Sequence, residues 1–159
     1  MRDDMYSAKI VTVSDSASEN LRVDSSGDLL EKLLKDTGYY LQSRLLTKDG
    51  IEEVSELLSK EAHLFKGVIF TTGGTGFSKR DLTPEATLKV VERLTPGIDE
   101  AIRSVSGKAK LSRGVSGIVD DCLIINFPGS VRAVEESFMK IEPLIRHGLD
   151  LIFGTDKSH

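Results

Sequence analysis

The chain has 159 residues, 39% of them hydrophobic and 29% charged, a length and composition that fit one domain over residues 1–159 with its own core. The net charge of −4 argues against nucleic acid as the main partner, and the single cysteine, Cys122, excludes an intramolecular disulfide and a cysteine zinc cluster. The N-terminal stretch MRDDMYSAK lacks the apolar core of a signal peptide and no apolar run is long enough to cross a bilayer, so we expect a cytoplasmic protein with no membrane partner.

Short apolar segments alternate with amphipathic segments along the first half of the chain. The predicted elements are, in chain order, a buried strand (residues 8–14), a polar loop (15–28), a helix (28–36) that Gly38 ends, a second strand (39–47), a helix that begins near Asp49, and a third strand (67–72). The sequence Asp49-Gly50-Ile51-Glu52 is typical of a capping box, which predicts that Asp49 caps its helix.

The second half of the chain continues this alternation after a glycine-rich turn. The predicted elements are a helix capped by Thr83 that runs from Pro84 to about residue 94, a helix over residues 98–106, two strand-like runs within residues 114–127, of which 122–127 is the stronger, and a final helix capped by Ser130 that Pro143 breaks or kinks. Cys122 is expected to be a small core residue at the start of a strand.

This order of elements favours an α/β fold in which a mostly parallel sheet is covered by helices on both faces, with right-handed crossovers. Ligands of such sheets bind beyond the carboxyl ends of the strands. The connections expected at that edge are residues 14–27, 47–50, 71–83 and 128–130. We therefore expect the functional site where these connections meet.

Residues 68–87 (VIFTTGGTGFSKRDLTPEAT) contain the strongest candidate motif. The motif is not a Walker A loop, since no Gly-Lys-Ser/Thr follows, and it is not the dinucleotide fingerprint Gly-x-Gly-x-x-Gly. Glycine content alone is as typical of a tight turn as of a ligand site, but Gly73, Gly74 and Gly76 are more glycines than a turn needs. Exposed N–H groups and a helix N-terminus favour a phosphate-bearing ligand.

Two carboxylates belong to these connections. Asp81 has no structural role that the sequence explains, since Thr83 is expected to cap the helix, and a carboxylate beside a phosphate implies a divalent cation, most naturally Mg²⁺. Asp49 falls at the same edge, although a capping box explains it. Asp15 lies in a polar loop where such residues are expected without function. Among the basic residues Arg113 has the highest weight, because it directly precedes a predicted strand.

Together these motifs resemble the Mog and MoaB family of molybdenum-cofactor biosynthesis proteins, the stand-alone molybdopterin-binding domain, over nearly the whole chain. The motifs that carry the resemblance are Thr12-Val13-Ser14-Asp15, Asp24-Ser25-Ser26-Gly27, Asp49, the run from Thr71 to Thr87, Pro96-Gly97, Leu111-Ser112-Arg113, Asn126-Phe127-Pro128-Gly129-Ser130, Pro143 and His147. The central run is long and specific, and its Thr83-Pro84-Glu85 resembles the catalytic Mog branch.

The resemblance implies a three-layer α/β fold that assembles as a trimer or hexamer. It also implies transfer of AMP from Mg-ATP to the terminal phosphate of molybdopterin, with a metal-insertion enzyme as a downstream partner. Asp49 and Asp81 match the two acidic residues that the family needs for this transfer, through Mg²⁺. The positions that match substrate-binding residues are Ser14, Asp15, Thr72, Gly73, Gly74, Thr75, Gly76, Ser112, Arg113, Pro128, Gly129 and Ser130.

Two other functions stay open at this point. A non-catalytic protein of the MoaB type would bind molybdopterin without transferring AMP. The same domain also occurs in larger eukaryotic scaffold proteins, although no appended domain or linker is predicted within these residues. The sequence pattern fits a molybdenum or a tungsten pathway equally.

Overall fold

A six-stranded sheet lies between two layers of helices in the computed structural model, which describes residues 5–105 and 107–156. The strands are β1 (Ser7–Val13), β2 (Tyr40–Thr47), β3 (Gly67–Thr72), β4 (Arg93–Leu94), β5 (Ser116–Val119) and β6 (Cys122–Phe127). The helices are α1 (Asp15–Ser18), α2 (Ser25–Asp36), α3 (Ile51–Ala62), α4 (Thr83–Leu88), α5 (Pro96–Arg103) and α6 (Val131–Phe153), with a short 3₁₀ helix over Gly107–Leu111. Among the described residues, no helix combines the length and the apolar character needed to cross a membrane.

The strand order is β2-β1-β3-β6-β5-β4, and the first four of these strands are parallel. β5 and β4 run antiparallel to their neighbours, so the predicted mostly parallel sheet is confirmed. In the register, Val13 pairs with Thr47, Thr12 with Thr72, and Thr72 with Phe127. The four parallel strands therefore end side by side at one edge of the sheet.

The three central strands, β1, β3 and β6, are buried on both faces of the sheet, and their side chains alternate between these faces. Ile10 and Phe70 face the layer formed by α2, α5 and α6, whereas Val11 and Ile69 face the layer formed by α3 and α4. All four side chains are fully buried, and burial of each contributes about 1.5–3 kcal/mol. Cys122 is also fully buried, as predicted.

The start of α2 differs from the prediction. This helix begins at Ser25 rather than at residue 28, because the Asp24 carboxylate accepts a hydrogen bond from the Gly27 N–H at 3.0 Å and so caps the helix. The short helix α1 also forms inside the segment that was expected to be a loop. The residue after the α2 cap is Gly38, with a φ of +88°, which confirms the predicted stop.

Three later boundaries also differ. α4 ends at Leu88 rather than near residue 94, because Arg93 and Leu94 pair with β5. The helix predicted over residues 98–106 is α5, and Ser106 lies outside the described residues. α6 runs through Pro143 without a break, since its buried stripe packs on the sheet on both sides of the proline. The Ser130 cap of α6 is confirmed, because its hydroxyl accepts from the Ala133 N–H at 3.2 Å.

Candidate functional site

The four expected connections meet at the carboxyl edge of the parallel strands. The Ser14 N–H donates to the Thr47 carbonyl at 2.9 Å, which extends the pairing of β1 with β2. The Ser26 hydroxyl donates to the Gly129 carbonyl, and a Cβ added at Gly129 would lie 3.4 Å from the Gly73 Cα. These contacts join the four connections into one surface.

Thr83 fixes the glycine turn that follows β3. Its hydroxyl donates to the Gly73 carbonyl and its N–H donates to the Gly74 carbonyl, both at 3.0 Å. Because the turn uses this hydroxyl, the predicted Thr83 cap is wrong: Leu82 is the N-cap of α4 and no side chain caps that helix. Gly73 and Gly74 have φ values of +92° and +70°, a conformation that costs other residues of order 1 kcal/mol or more.

The turn presents backbone donors to its surroundings. Within the described residues, no hydrogen bond uses the N–H groups of Gly74, Thr75 or Gly76 as donors. Successive N–H groups without a protein acceptor form a concave site that attracts anions. The turn therefore offers N–H donors that a phosphate could accept, and phosphate binding at this turn stays a prediction.

Arg113 ties this turn to α4. Its backbone N–H donates to the Thr75 carbonyl at 2.7 Å, and its side chain donates to the carbonyls of Gly76 at 2.8 Å and Asp81 at 2.5 Å. The two terminal nitrogens also donate to both carboxylate oxygens of Glu85, at 2.9 and 3.0 Å. The bidentate pair with Glu85 gives the Arg113 guanidinium a defined orientation. Because the same guanidinium donates to the Asp81 carbonyl, Arg113 sets the position of Asp81.

Asp81 has a structural role that the sequence did not reveal. Its Oδ2 accepts from the Ser78 N–H at 3.0 Å, and its own N–H donates to the Ser78 carbonyl at the same distance. The expectation that Asp81 has no structural role is therefore wrong. The closed turn holds the carboxylate at the edge of the sheet.

The predicted capping box at Asp49 is also wrong. The N-cap of α3 is Gly50, and no side-chain hydrogen bond caps that helix. Instead, Asp49 Oδ2 accepts from the Asp15 N–H at 3.1 Å, whereas its Oδ1 has no hydrogen-bond partner among the described residues. Burial raises the pKa of the Asp49 carboxyl above its ordinary value, and the charges of Asp15 and Asp81 contribute to that increase.

Two cavities open at this edge of the sheet. The Asp49 cavity, of about 410 Å³, is bordered by Asp49, Ser14 and Arg22. The Phe77 cavity, of about 670 Å³, is bordered by Phe77 and Lys108. The residues that border both cavities, and so form a shared wall, are Gly74, Asp81, Gly129 and Ser130.

Most of the residues predicted from the sequence lie on these cavities. Those on the Asp49 cavity alone are Ser14, Asp49, Thr72 and Gly73; those on the Phe77 cavity alone are Thr75, Gly76, Ser112 and Pro128; Gly74, Asp81, Gly129 and Ser130 form the shared wall. Asp15 and Arg113 border neither cavity, and both bind neighbouring segments instead.

Two cavity residues were not singled out from the sequence. Arg22 is the basic side chain on the Asp49 cavity, and among the described residues it has no ion pair or hydrogen bond. Phe77 is 70% exposed and lies on the Phe77 cavity. An aromatic residue in a polar loop was the available signal for Phe77, whereas nothing in the local sequence distinguishes Arg22 from other surface arginines.

The carboxylates fit a magnesium ion that a phosphate ligand would share. Within the described residues, no group of three or more His, Cys, Asp or Glu side chains is arranged to hold a metal. Mg²⁺ is commonly bound by one or two carboxylates together with substrate phosphates and water. Asp49 and Asp81 border the same cavity and repel each other, and a cation between them would relieve that repulsion.

Comparison with known proteins gives a match over most of the chain. Residues 9–147 match the family described as "Probable molybdopterin binding domain". The chain is 35% identical to the molybdopterin adenylyltransferase of Helicobacter pylori, over 92% of this chain and 87% of that protein. It is also 34% identical to gephyrin of Dictyostelium discoideum over 99% of its length, although it spans only about a quarter (24%) of gephyrin.

The fold has solved counterparts. The structure of the molybdopterin biosynthesis enzyme MoaB from Thermus thermophilus superposes with a TM-score of 0.89 at 34% identity. The superposition covers 94% of this chain and 98% of that one. The three-layer architecture described above is therefore shared with a solved protein over nearly its whole length.

Proposed function

The chain belongs to the family of probable molybdopterin binding domains, and from this premise we propose that it is an adenylyltransferase acting on molybdopterin. It transfers AMP from Mg-ATP to the terminal phosphate of molybdopterin and releases pyrophosphate. The family membership confirms the resemblance to Mog and MoaB proteins that the sequence motifs indicate.

The observation that carries this proposal is the shared wall between the two cavities. A reaction between two phosphate groups requires two substrates held end to end with their phosphates in contact. The Asp49 cavity and the Phe77 cavity meet at Gly74, Asp81, Gly129 and Ser130. Two adjacent sites with the Asp81 carboxylate and the Gly74 backbone between them suit that requirement.

Each cavity has the chemistry of one substrate. The Phe77 cavity combines an exposed aromatic ring with Ser112, Pro128 and the cation of Lys108, which suits a flat pterin ring with an attached phosphate. The Asp49 cavity combines Asp49 and Asp81 with Arg22, which suits a magnesium-bound polyphosphate. Molybdopterin therefore occupies the Phe77 cavity and ATP occupies the Asp49 cavity.

The reaction is a displacement at the α-phosphorus of ATP. A terminal phosphate oxygen of molybdopterin forms a bond to that phosphorus, and the bond from the α-phosphorus to the β-phosphate oxygen breaks. The electron pair leaves with pyrophosphate, and adenylyl-molybdopterin is the other product. Such a transfer depends on alignment and on neutralisation of charge more than on a strong base.

The residues of this chain supply alignment and charge. The N–H groups of Gly74, at the shared wall, and of Thr75 and Gly76, on the Phe77 cavity, would donate to phosphate oxygens. Asp49 and Asp81 would hold Mg²⁺, which when bound neutralises charge on the phosphates. Arg113 keeps Asp81 in place through its bonds to the Asp81 carbonyl and to Glu85.

The same family membership supports a proposal for the assembly and the setting. We propose a homotrimer or hexamer in the cytoplasm, whose product passes to a metal-insertion enzyme. Sedimentation or light scattering of the purified chain would give its assembly state.

The proposal is tested by incubating the purified chain with Mg-ATP and molybdopterin. We expect stoichiometric pyrophosphate and adenylyl-molybdopterin from the wild type, and loss of both products in Asp81→Asn and Asp49→Asn with the circular dichroism spectrum preserved. Binding of molybdopterin without ATP-dependent product would instead identify a non-catalytic binding protein. Turnover of Asp81→Asn at the wild-type rate would contradict the role given to Asp81.

A further inference from the structure

Asp15 and Asp49 hold each other through a reciprocal pair of hydrogen bonds. The Asp15 N–H donates to Asp49 Oδ2, and the Asp49 N–H donates to Asp15 Oδ1, both at 3.1 Å. The two residues are separated by 34 positions in the chain and follow adjacent parallel strands. The backbone at Asp15 is therefore held by the Asp49 carboxylate, and the backbone at Asp49 is held by the Asp15 carboxylate.

Arg80 completes this arrangement from a third connection. Its Nε donates to Asp15 Oδ2 at 3.1 Å and its Nη2 donates to Asp15 Oδ1 at 3.0 Å, a bidentate pair. The same Nη2 donates to the Asp49 carbonyl at 2.7 Å. Arg80 directly precedes Asp81 in the chain, so its side chain links the backbone next to Asp81 to the backbone of Asp49.

The contacts use the carboxylate oxygens of Asp15 and Asp49 differently. Both oxygens of Asp15 are engaged by Arg80, and Asp15 borders neither cavity. Asp49 uses one oxygen for the Asp15 N–H and keeps Oδ1 beside Gly74, where a Cβ at Gly74 would lie 3.1 Å away. The arrangement directs one oxygen of Asp49 to the shared wall and removes the Asp15 carboxylate from it.

We propose that Asp15 and Arg80 are positioning residues that fix the separation of Asp49 and Asp81 for binding of a magnesium–nucleotide complex. This inference rests on the proposed function. It reassigns Asp15, which the family resemblance places among the substrate-binding residues, to a contact with Asp49 and Arg80. The positive charge of Arg80 also offsets the repulsion among the three carboxylates at this edge of the sheet. A lysine at position 80 could supply that charge without the bidentate geometry.

The test measures binding rather than turnover. Calorimetry with α,β-methylene-ATP, which cannot transfer AMP, is performed with Mg²⁺ and again with EDTA on the wild type, Arg80→Gln, Arg80→Lys and Asp15→Asn. Removal of residues that orient metal ligands typically weakens metal affinity roughly 10- to 100-fold. With Mg²⁺ we expect the affinity for the nucleotide analogue to weaken by that factor in Arg80→Gln and Asp15→Asn, and by a smaller factor in Arg80→Lys. In EDTA we expect all three variants to bind with nearly the affinity of the wild type.

The matched control is Lys89→Gln. Lys89 is an exposed cation that pairs with Glu52 at 3.1 Å and borders neither cavity. Its substitution should leave both titrations unchanged. The double variant Asp15→Asn/Arg80→Gln should lose little more than either single variant, since the two residues act as a unit.

The possible outcomes separate this inference from the proposed function. If Arg80→Gln binds the magnesium complex as the wild type does, or if its loss is the same in EDTA, the positioning role is wrong while the adenylyltransferase assignment stands. If the wild type binds no nucleotide under either condition, both are wrong.

Discussion

Gly73 packs so closely on Val13 that a Cβ added at Gly73 would lie 2.3 Å from the Val13 carbonyl oxygen. Val13 ends β1 and Gly73 follows the end of β3, so this contact joins two adjacent parallel strands at the site. The φ of Gly73 is +92°, which also disfavours a side chain. Both features make glycine a requirement of the turn.

Gly73→Ala should lower the free energy of unfolding by about 1–3 kcal/mol, because backbone atoms of β1 or the turn must move. Urea denaturation measures the change. Gly97→Ala is the control, since a Cβ there meets nothing within 4 Å and φ is not positive. Equal stability of the two variants would contradict this view of the turn.

Asp24 links stability to pH. Burial by itself raises the pKa of Asp24, but hydrogen bonds from Thr12, Arg44 and Gly27 outweigh burial and hold the pKa below its ordinary value. A carboxylate with a lowered pKa in the folded state stabilises the protein fully above the ordinary pKa of about 3.9, and this stabilisation is lost as the pH falls through the lower folded-state pKa.

Asp24→Asn should therefore be less stable than the wild type by about 1–2 kcal/mol at neutral pH, since the charge-assisted bond from Arg44 is lost. The difference should shrink as the pH falls below the ordinary carboxyl pKa of about 3.9 and the wild-type carboxyl becomes protonated. Urea titrations at several pH values measure it. A difference that stays constant until the wild type unfolds in acid would show that the Asp24 charge is not involved.

Arg22 offers a test of where the nucleotide binds. No described partner holds its side chain, and it borders the Asp49 cavity. Arg22→Gln should raise the KM for ATP about tenfold, the effect of one lost hydrogen bond to a charged group, with a smaller effect on the KM for molybdopterin. Arg93→Gln, on the exposed strand β4, is the control. A larger increase in the KM for molybdopterin than in the KM for ATP would place the pterin in the Asp49 cavity.

Arg113→Lys should reduce kcat although it preserves the charge. A lysine cannot reproduce the simultaneous bonds to Glu85 and to the carbonyls of Gly76 and Asp81. Small displacements of an active-site group can reduce the rate of transfer roughly 10- to 100-fold. Steady-state kinetics measures this loss, with Arg93→Lys as the control. Unchanged kcat would show that Arg113 does not position Asp81.

Local sequence patterns predicted the fold well because each element depends on its own residues. Short apolar segments between amphipathic ones predicted the strands that end at the site. The glycines predicted the turn that follows β3. The order of strands and helices was enough to place four connections at one edge, since parallel strands share their carboxyl ends.

The roles of single polar residues were harder to predict, because their partners lie far away in the chain. A capping box explained Asp49 locally, yet its carboxylate binds the N–H of Asp15. Thr83 has the sequence context of a helix cap, yet its hydroxyl binds the Gly73 carbonyl. In each case a more distant contact, 34 positions away for Asp49 and 10 for Thr83, replaces the local hydrogen bond that the pattern indicates.

The most direct test of the proposed site is a crystal structure with Mg²⁺ and α,β-methylene-ATP. We predict the nucleotide in the Asp49 cavity, its α-phosphate at the wall formed by Gly74, Asp81, Gly129 and Ser130, and a magnesium ion bound by Asp49 and Asp81. Nucleotide in the Phe77 cavity, or phosphates that contact neither carboxylate, would contradict the assignment of the two cavities and of the acidic pair.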